Sequence, residues 1–394
     1  MADDAIRAHI APLTTERRSL EHAIGQTLRE AIFAERENPP FDRVCMDGIA
    51  VCSETLSRGV RRFRLQTTQS AGTPPVTLAD AGSAVEVMTG AVLPRGTDCV
   101  IPLEEYDLAE GVAALKEGAA GAPFRNVQRR GGDSDVGVAM LSSGVRLGAP
   151  EIAVVASAGR GQVRVSRQPK VVVISTGDEL VDPGAPIAAH QVRRSNAYAV
   201  VAALRTRGFE QVANDHIGDD EAVLRDRLAH HLASNDLLVL SGGVSKGKFD
   251  FVPKVLTDLG VREIFYQVAQ RPGMPLWFGV GSMGQAVFGL PGNPVSTLIC
   301  LVRYVVPALG IAMGTRADPP MRVPLATSFQ CDRPVTYFLP AAVVPDPLGR
   351  SVAIAKSPNG PGDFLSLTES HGFLELPPRP VPFPEGFAAD FHRW

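Results

Sequence analysis

The chain has 394 residues, 45% of them hydrophobic and 21% charged, with a formal net charge of -3. That length can build several domains with sizeable cores, and the composition is that of an ordinary soluble globular protein. The near-neutral balance excludes a global electrostatic pull toward nucleic acid or an anionic membrane, so any anion site must be local.

The five cysteines, Cys45, Cys52, Cys99, Cys300 and Cys331, are scattered without a C-x-x-C pair. This argues against a disulfide framework or a structural zinc site and fits a reducing compartment. The N-terminal stretch MADDAIRAHIAPL is acidic and lacks an apolar signal core, so a cytoplasmic location is expected. Residues 1–38 carry apolar residues at helical spacing among charges and predict helix. From about 48 to 140, short alternating runs such as GIAVC, FRLQTT and SAVEVM are separated by glycine and proline and predict a small β-rich unit. SSGVRLGAPEIAVVASAG (142–159) returns to helical character, which makes the β unit an insertion between two halves of a flanking domain.

Strands and helices alternate over 169–310. PKVVVIST is a buried strand and SNAYAVVAALRTRG an amphipathic helix ended by glycine. FEQVANDHIG, DDEAVLRDRLAHHLA and DLLVLSGG continue as strand, helix and strand. A helix at about 250–259, strands around VREIFYQVA, PLWFGV and QAVFGL, and a helix from Pro294 follow. Such alternation predicts a largely parallel sheet covered on both faces. The run LICLVRYVVPALGIAMG contains Arg303 and Pro307 and is short for a membrane span, so it is expected as a buried helix. His230-His231 reads as the solvated end of a helix. After ADPP (317–320) the chain becomes β-like and proline-rich, predicting a small terminal β domain.

In an open α/β sheet, ligands bind beyond the carboxyl ends of the strands. Three loops fall there. Ser175-Thr-Gly-Asp-Glu-Leu180 can present oxygen ligands to a hard cation, or can be a turn with acidic helix-capping residues. Ser241-Gly-Gly-Val-Ser-Lys-Gly-Lys-Phe-Asp250 has glycines whose N–H groups can converge on an anion, with Ser245, Lys246 and Lys248 as further donors; a plain flexible loop is the other reading. It is not a Walker loop, since GxxxxGK[ST] is absent. Leu290-Pro-Gly-Asn-Pro-Val-Ser296 runs from strand into helix, with Asn293 suited to the N-cap and Pro294 to the first turn. Its free N–H groups suit a phosphate or oxyanion, although a simple capped helix start explains the same residues. Together the loops describe a cleft for an anionic, phosphorylated ligand with a divalent metal. No H-x-x-x-H pair or G-x-S-x-G elbow supports a zinc protease or serine hydrolase.

The ordered set PPFDRVCMDGIAV (39–51), VMTGAVLPRGTDCVIPLEE (87–105), ISTGDEL, RRSNAYAV, DLLVLSGGVSKGKFD, QRPGMP and FGLPGNPVS resembles the molybdopterin molybdenumtransferases, the MoeA family. The likeness runs through nearly the whole chain. It implies a multi-domain α/β fold and an elongated homodimer with four domains per chain. These are an N-terminal domain (1–47 plus 141–168), an inserted β-rich lid (48–140), a molybdopterin-binding α/β domain (169–318) and a C-terminal β-barrel-like domain (319–394). The reaction it implies takes adenylylated molybdopterin and molybdate, with Mg²⁺, and yields molybdenum cofactor and AMP. Molybdopterin adenylyltransferase and recipient apo-molybdoenzymes are the implied partners, with no nucleic acid and no membrane.

Carried over by position, Thr176, Gly177, Asp178 and Glu179 match the pterin- and metal-facing loop. Asp219 matches the first acid of an Asp-Asp pair, and Asp250 the acid closing the glycine loop that begins Ser241, Gly242, Gly243. Ser245, Arg271, Ser296 and Arg333 fall on oxyanion-contacting positions, near Pro291, Gly292, Asn293 and Pro294. Asp47, Thr89 and Glu105 match lid and N-terminal positions tied to activity; for Asp47, a simple Asp-Gly turn is the alternative. Asp178, Glu179 and Asp250 are the candidates for binding metal or orienting the attacking oxygen.

Two departures stand out. The family usually carries lysine at both cationic positions of the loop that reads QRPGMP here; Arg271 keeps the first charge and Met274 abandons the second. The glycine loop gains Lys246 and Lys248, which could replace the lost ammonium because an oxyanion responds to summed local potential. Gly132 stands where the family usually has glutamate. A pterin carrier that has lost metal insertion, and a scaffold using surface stretches such as LPPRPVPFP, are the alternatives to an enzyme.

Overall fold

The computed structural model describes residues 2–243, 251–331, 333–356, 360 and 362–394. The chain forms two compact units. One comprises Met1–Arg29, Ser143–Leu147 and Arg164–Trp394, the other Glu30–Ser142 and Gly148–Val163.

The first unit is organised by a six-stranded sheet in the order Val212–Ile217, Val171–Thr176, Leu237–Ser241, Ala286–Leu290, Trp277–Val280, Arg262–Tyr266. The first four strands are parallel. The last two run antiparallel, so the expected parallel sheet carries an antiparallel edge. Every residue of VVVIST, LLVLS and AVFGL is buried. A strand covered on both faces has no water-facing side to populate, which is why these segments read as apolar runs up to the polar residues Ser175, Thr176 and Ser241 at their carboxyl ends. Val171, Val173, Val239 and Phe288 pack toward the helices Ser195–Arg205 and Pro294–Met313. Val172, Ile174, Leu238 and Val287 pack the other way, against Glu221–Ser234 and Val252–Asp258. Each such side chain is worth about 1.5–3 kcal/mol in transfer terms.

The helix Glu221–Ser234 turns Leu224, Leu228 and Leu232 inward at four-residue spacing. Its N-cap is Asp220, whose Oδ1 accepts from the N–H groups of Ala222 (2.9 Å) and Val223 (3.0 Å). His231 is not the solvated helix end expected from sequence: its ring meets Asp215 at 2.6 Å, against the neighbouring strand. Pro294–Met313 is long and apolar enough to cross a membrane, but its apolar stretch is 67% buried here, as expected for a core helix. It widens into a π-helical turn at Leu301–Val305.

The expectation of helix over 1–38 holds only at Ala2–His9 and Leu20–Ala23. Pro12 ends the first helix by excluding its predecessor from helical geometry, and Thr15–Ser19 is a strand instead.

The C-terminal segment forms a second sheet in the order Gln270–Arg271, Thr336–Pro345, Gly372–Leu376, Ala388–Arg393, Met321–Pro324, with Ser351–Ala355 also paired to Thr336–Pro345. A bridge from Leu325 to Ala353 closes it into a small barrel around Leu325, Leu339, Leu374 and Phe391. Its outermost strand, Gln270–Arg271, belongs by sequence to the α/β block.

The second unit is β-rich, as expected. Its six strands run Cys99–Pro102, Gly48–Val51, Ser83–Val87, Arg62–Gln69, Val112–Leu115, Tyr106–Ala109. All neighbours are antiparallel except Arg62–Gln69 with Ser83–Val87. The expected helical return is Ala149–Ser157, with Glu151 reaching back to the Gly148 N–H at 2.9 Å.

Candidate functional site at the carboxyl ends of the parallel strands

The register of the sheet brings the candidate loops together. Thr176 lies opposite Ile217, and Ser241 lies between Ser175 and Leu290, so four parallel strands end at one level. The loops leaving them touch in sequence. A Cβ on Gly243 would sit 2.5 Å from Thr176 Oγ1, and one on Gly292 would sit 3.9 Å from the Gly242 Cα. Gly242 and Gly243 both have positive φ (93° and 66°), so glycine is required twice over, for conformation and for space.

Asp178 and Glu179 are exposed at the end of the first strand, and Asp219 follows the neighbouring one. The Asp219 N–H donates to Asp178 Oδ1 at 3.1 Å. Asp220 is committed to capping its helix, so the two members of this acid pair have different tasks. The Glu179 carboxylate folds back over Gly177, where a Cβ would meet it at 2.2 Å. Beneath the loops, Ser175 Oγ, Thr176 Oγ1 and Asn196 Oδ1 are buried with no hydrogen-bond partner among the described residues. Buried polar atoms left open at a strand-end cleft are sites for a ligand to satisfy.

At the fourth strand, Pro291 is buried, Gly292 and Asn293 are exposed, and Pro294 opens the long helix. Asn293 occupies the N-cap position, but its side chain makes no cap hydrogen bond. The loop is instead tied by the Thr297 hydroxyl, 2.6 Å from the Pro291 carbonyl and 3.0 Å from that of Asn293. Ser296 is buried, and its carbonyl lies 3.8 Å from where a Cβ of Gly273 would sit, which sets the helix start beside the QRPGMP loop. In that loop Arg271 is exposed and pairs in the sheet with Tyr337; Arg333 is exposed just before the same strand. Met274 is half-exposed. Ser245, Lys246, Lys248 and Asp250 lie outside the described residues.

Asp47, Thr89 and Glu105 belong to the second unit. Asp47 Oδ1 accepts from the Thr89 N–H (2.7 Å) and hydroxyl (2.6 Å), and these bonds hold its carboxyl below the usual range. Asp47 is thus more than a turn residue. Glu105 forms a two-point pair with Arg125, whose hydrogen bonds lower its carboxyl likewise.

Among the described residues no group of three or more metal-ligating side chains converges. The Asp178–Asp219 pair nevertheless fits Mg²⁺, which is commonly held by one or two carboxylates together with substrate phosphates. Asp250, the third expected acid, is not described.

Comparison with known proteins agrees with this architecture. Residues 1–159 match a family profile described as "MoeA N-terminal region (domain I and II)", and residues 172–310 one described as "Probable molybdopterin binding domain". The molybdopterin molybdenumtransferase of Synechocystis is 36% identical over all of this chain and 98% of its own. The chain belongs to the molybdopterin molybdenumtransferase family. The Haemophilus influenzae member is 34% identical over 80% of this chain and 78% of its own. A crystal structure of a molybdopterin biosynthesis MoeA protein from Pyrococcus horikoshii superposes with a TM-score of 0.79 at 29% identity, covering 100% of this chain and 97% of that one.

Within this member of the family, Asn196 is a site residue that sequence reasoning passed over. Its amide nitrogen lies 2.7 Å from the Gly292 carbonyl, 3.1 Å from Ser241 Oγ and 3.3 Å from Thr297 Oγ1, joining two of the loops. Buried Arg194 sets it in place, binding Asp182 Oδ1 at 2.5 and 2.8 Å and Asn214 Oδ1 at 2.8 Å, and so fixing the start of the Ser195–Arg205 helix. The signal was present in the motif RRSNAYAV, as a polar residue at the first turn of an otherwise apolar helix.

Proposed function

We propose that this chain inserts molybdenum: it takes adenylylated molybdopterin and molybdate and yields molybdenum cofactor and AMP with the help of Mg²⁺. The observation that supports this most is the row of strand-end loops at one level, pairing a phosphate-suited helix start with adjacent carboxylates. In this reading the backbone N–H groups of Gly242, Gly243, Gly292 and Asn293 cradle phosphate, with Pro291 and Pro294 shaping the loop around them. Thr176, Gly177, Ser241 and Asn196 hold the pterin portion. Arg271, Ser296 and Arg333, with Ser245, hold the molybdate oxyanion, for which the guanidinium fork is well shaped.

Asp178 and Asp219, with Asp250, are the proposed Mg²⁺ ligands, and Glu179 the group that orients the attacking oxygen. When bound, Mg²⁺ neutralises charge on the phosphoanhydride as it breaks. The chain's own contribution is to align the reactants, since cleavage of such a bond depends chiefly on positioning. Asp47, Thr89 and Glu105 are proposed to act from the inserted β unit. The four-part domain division, the homodimer, the cytoplasmic location, and supply and delivery through the adenylyltransferase and apo-molybdoenzymes go with this proposal.

The test is AMP release from adenylylated molybdopterin with Mg²⁺ and titrated molybdate, read alongside activation of a cofactor-free molybdoenzyme. Molybdate-dependent release with activation is expected. Tight pterin binding without turnover would replace insertion with a carrier role.

A further inference from the structure

We propose that Gln270 and Tyr304 are positioning residues for molybdate binding: a buried hydrogen-bond relay from Tyr304 through Gln270 holds the loop that presents Arg271. The proposal deepens the reading given above and rests on Arg271 being an oxyanion ligand.

In an extended segment successive side chains point to opposite sides. Gln270 accordingly points inward and is 3% exposed, while Arg271 faces out. Burying a glutamine is costly unless its amide is fully bonded, and an apolar residue would fill the same space more cheaply. Here the amide is fully engaged. Tyr304, also buried, donates its hydroxyl to Gln270 Oε1. Gln270 Nε2 donates to the Gly273 carbonyl at 3.0 Å, with the Pro272 carbonyl at 3.3 Å and Cys300 Sγ at 3.4 Å. One amide therefore gathers the backbone of the two residues that follow Arg271.

The loop lies flat on this relay. Gly273 has φ +92°, and a Cβ there would come within 2.6 Å of Cys300 Sγ and 2.7 Å of Gln270 Nε2. The rest of the loop is closed by the Met274 carbonyl, which accepts from the N–H groups of Val268 and Leu276, each at 2.9 Å. Gln270 and Arg271 are paired with Thr336 and Tyr337 on the other side. Tyr304 sits in the π-helical turn Leu301–Val305, a widening that shifts side-chain register and recurs near functional sites. The same helical run starts at Pro294, so one rigid element references both the phosphate-suited loop and the Arg271 loop.

Two variants and two measurements test this. Tyr304→Phe is expected to raise the molybdate KM for AMP release about tenfold, since small displacements of a positioning group carry large kinetic effects. Its kcat at saturating molybdate should stay within about twofold, the pattern of lost binding rather than lost chemistry. Hydrogen exchange should accelerate over 268–276. In the double variant Y304F/Q270M the orphaned Gln270 Oε1 is gone but the Gly273 carbonyl loses its donor, so thermal stability should recover only in part over Y304F while the molybdate KM stays raised. A KM that returns to wild type together with stability would make the relay structural only and overturn the proposal, as would unchanged KM and exchange in Y304F. If the wild-type protein shows no molybdate-dependent AMP release, the functional reading fails by itself; unaltered exchange over 268–276 would then still overturn the relay.

Discussion

Asp178 and Asp219 clasp one another across two loops, the Asp219 N–H donating to Asp178 Oδ1 at 3.1 Å and the Asp178 N–H lying 3.4 Å from Asp219 Oδ2. Each carboxylate is thus held against the other residue's backbone, and among the described residues no cationic side chain is paired with either. Like charges held together call for a cation. The isosteric changes D178N and D219N should each raise the Mg²⁺ concentration for half-maximal AMP release by at least about tenfold, given that even indirect partners of a metal site cost 10–100-fold in affinity. Titration of Mg²⁺ at fixed substrate checks this. An unchanged midpoint in both variants would remove the pair from the metal site.

Asn196 joins the Ser241 and Gly292 loops from the start of a helix. Truncating it leaves the Gly292 carbonyl and the buried Ser241 hydroxyl short of a donor, a loss of about 1–3 kcal/mol. N196A should therefore lower unfolding stability by that amount in a denaturant titration and raise the KM for adenylylated molybdopterin. A stability loss with unaltered KM would make Asn196 a purely structural residue.

Glu375, on the barrel strand Gly372–Leu376, accepts from Arg303 at 2.7 Å and meets His392 at 2.9 Å. Burial alone would raise its carboxyl, but the bonds from His392 and Arg303 outweigh it and bring it down to about 2. A carboxyl lowered on folding contributes stability above its unfolded value, near 4.5, and loses it as pH falls from there toward 2. The contribution is about 3 kcal/mol, from 1.36 kcal/mol per pH unit of displacement. Wild type should thus lose stability more steeply than E375Q between pH 5 and pH 2 (about the working range of this titration), as read by denaturant unfolding. Parallel pH profiles would show that the pair does not carry acid sensitivity.

Much of the sheet was legible because strands buried on both faces cannot hide: VVVIST, LLVLS and AVFGL are apolar until their carboxyl ends, where Ser175, Thr176 and Ser241 stand. The strand-end loops were legible through glycine, proline and carboxylates in places where a core element has no use for them. Asn196 was not, because its partners are 45, 96 and 101 residues away and only the folded sheet brings them within reach. The Tyr304–Gln270 contact was hidden for the same reason, and additionally because a π turn breaks the 3.6-residue period by which a helix face is read. Over 1–38, helical spacing of apolar residues misled because Pro12 interrupts the pattern without altering it.

The methionine at 274 is the last departure to settle. The residue is 50% exposed, while its carbonyl makes two of the bonds that close the loop. Exchanging the side chain therefore leaves those anchors in place, and M274K should alter stability by less than about 0.5 kcal/mol, as surface substitutions do. Its effect on molybdate binding depends on whether another cation already serves. If Lys246 or Lys248 does, K246A/K248A should raise the molybdate KM roughly tenfold, equivalent to about 1.4 kcal/mol. M274K in that background should then restore it, because the oxyanion responds to the summed potential rather than to one lysine. Full activity of K246A/K248A at limiting molybdate would sink the compensation. A gain of activity from M274K in the otherwise unaltered chain would instead mark Met274 as a site of lost insertion capacity.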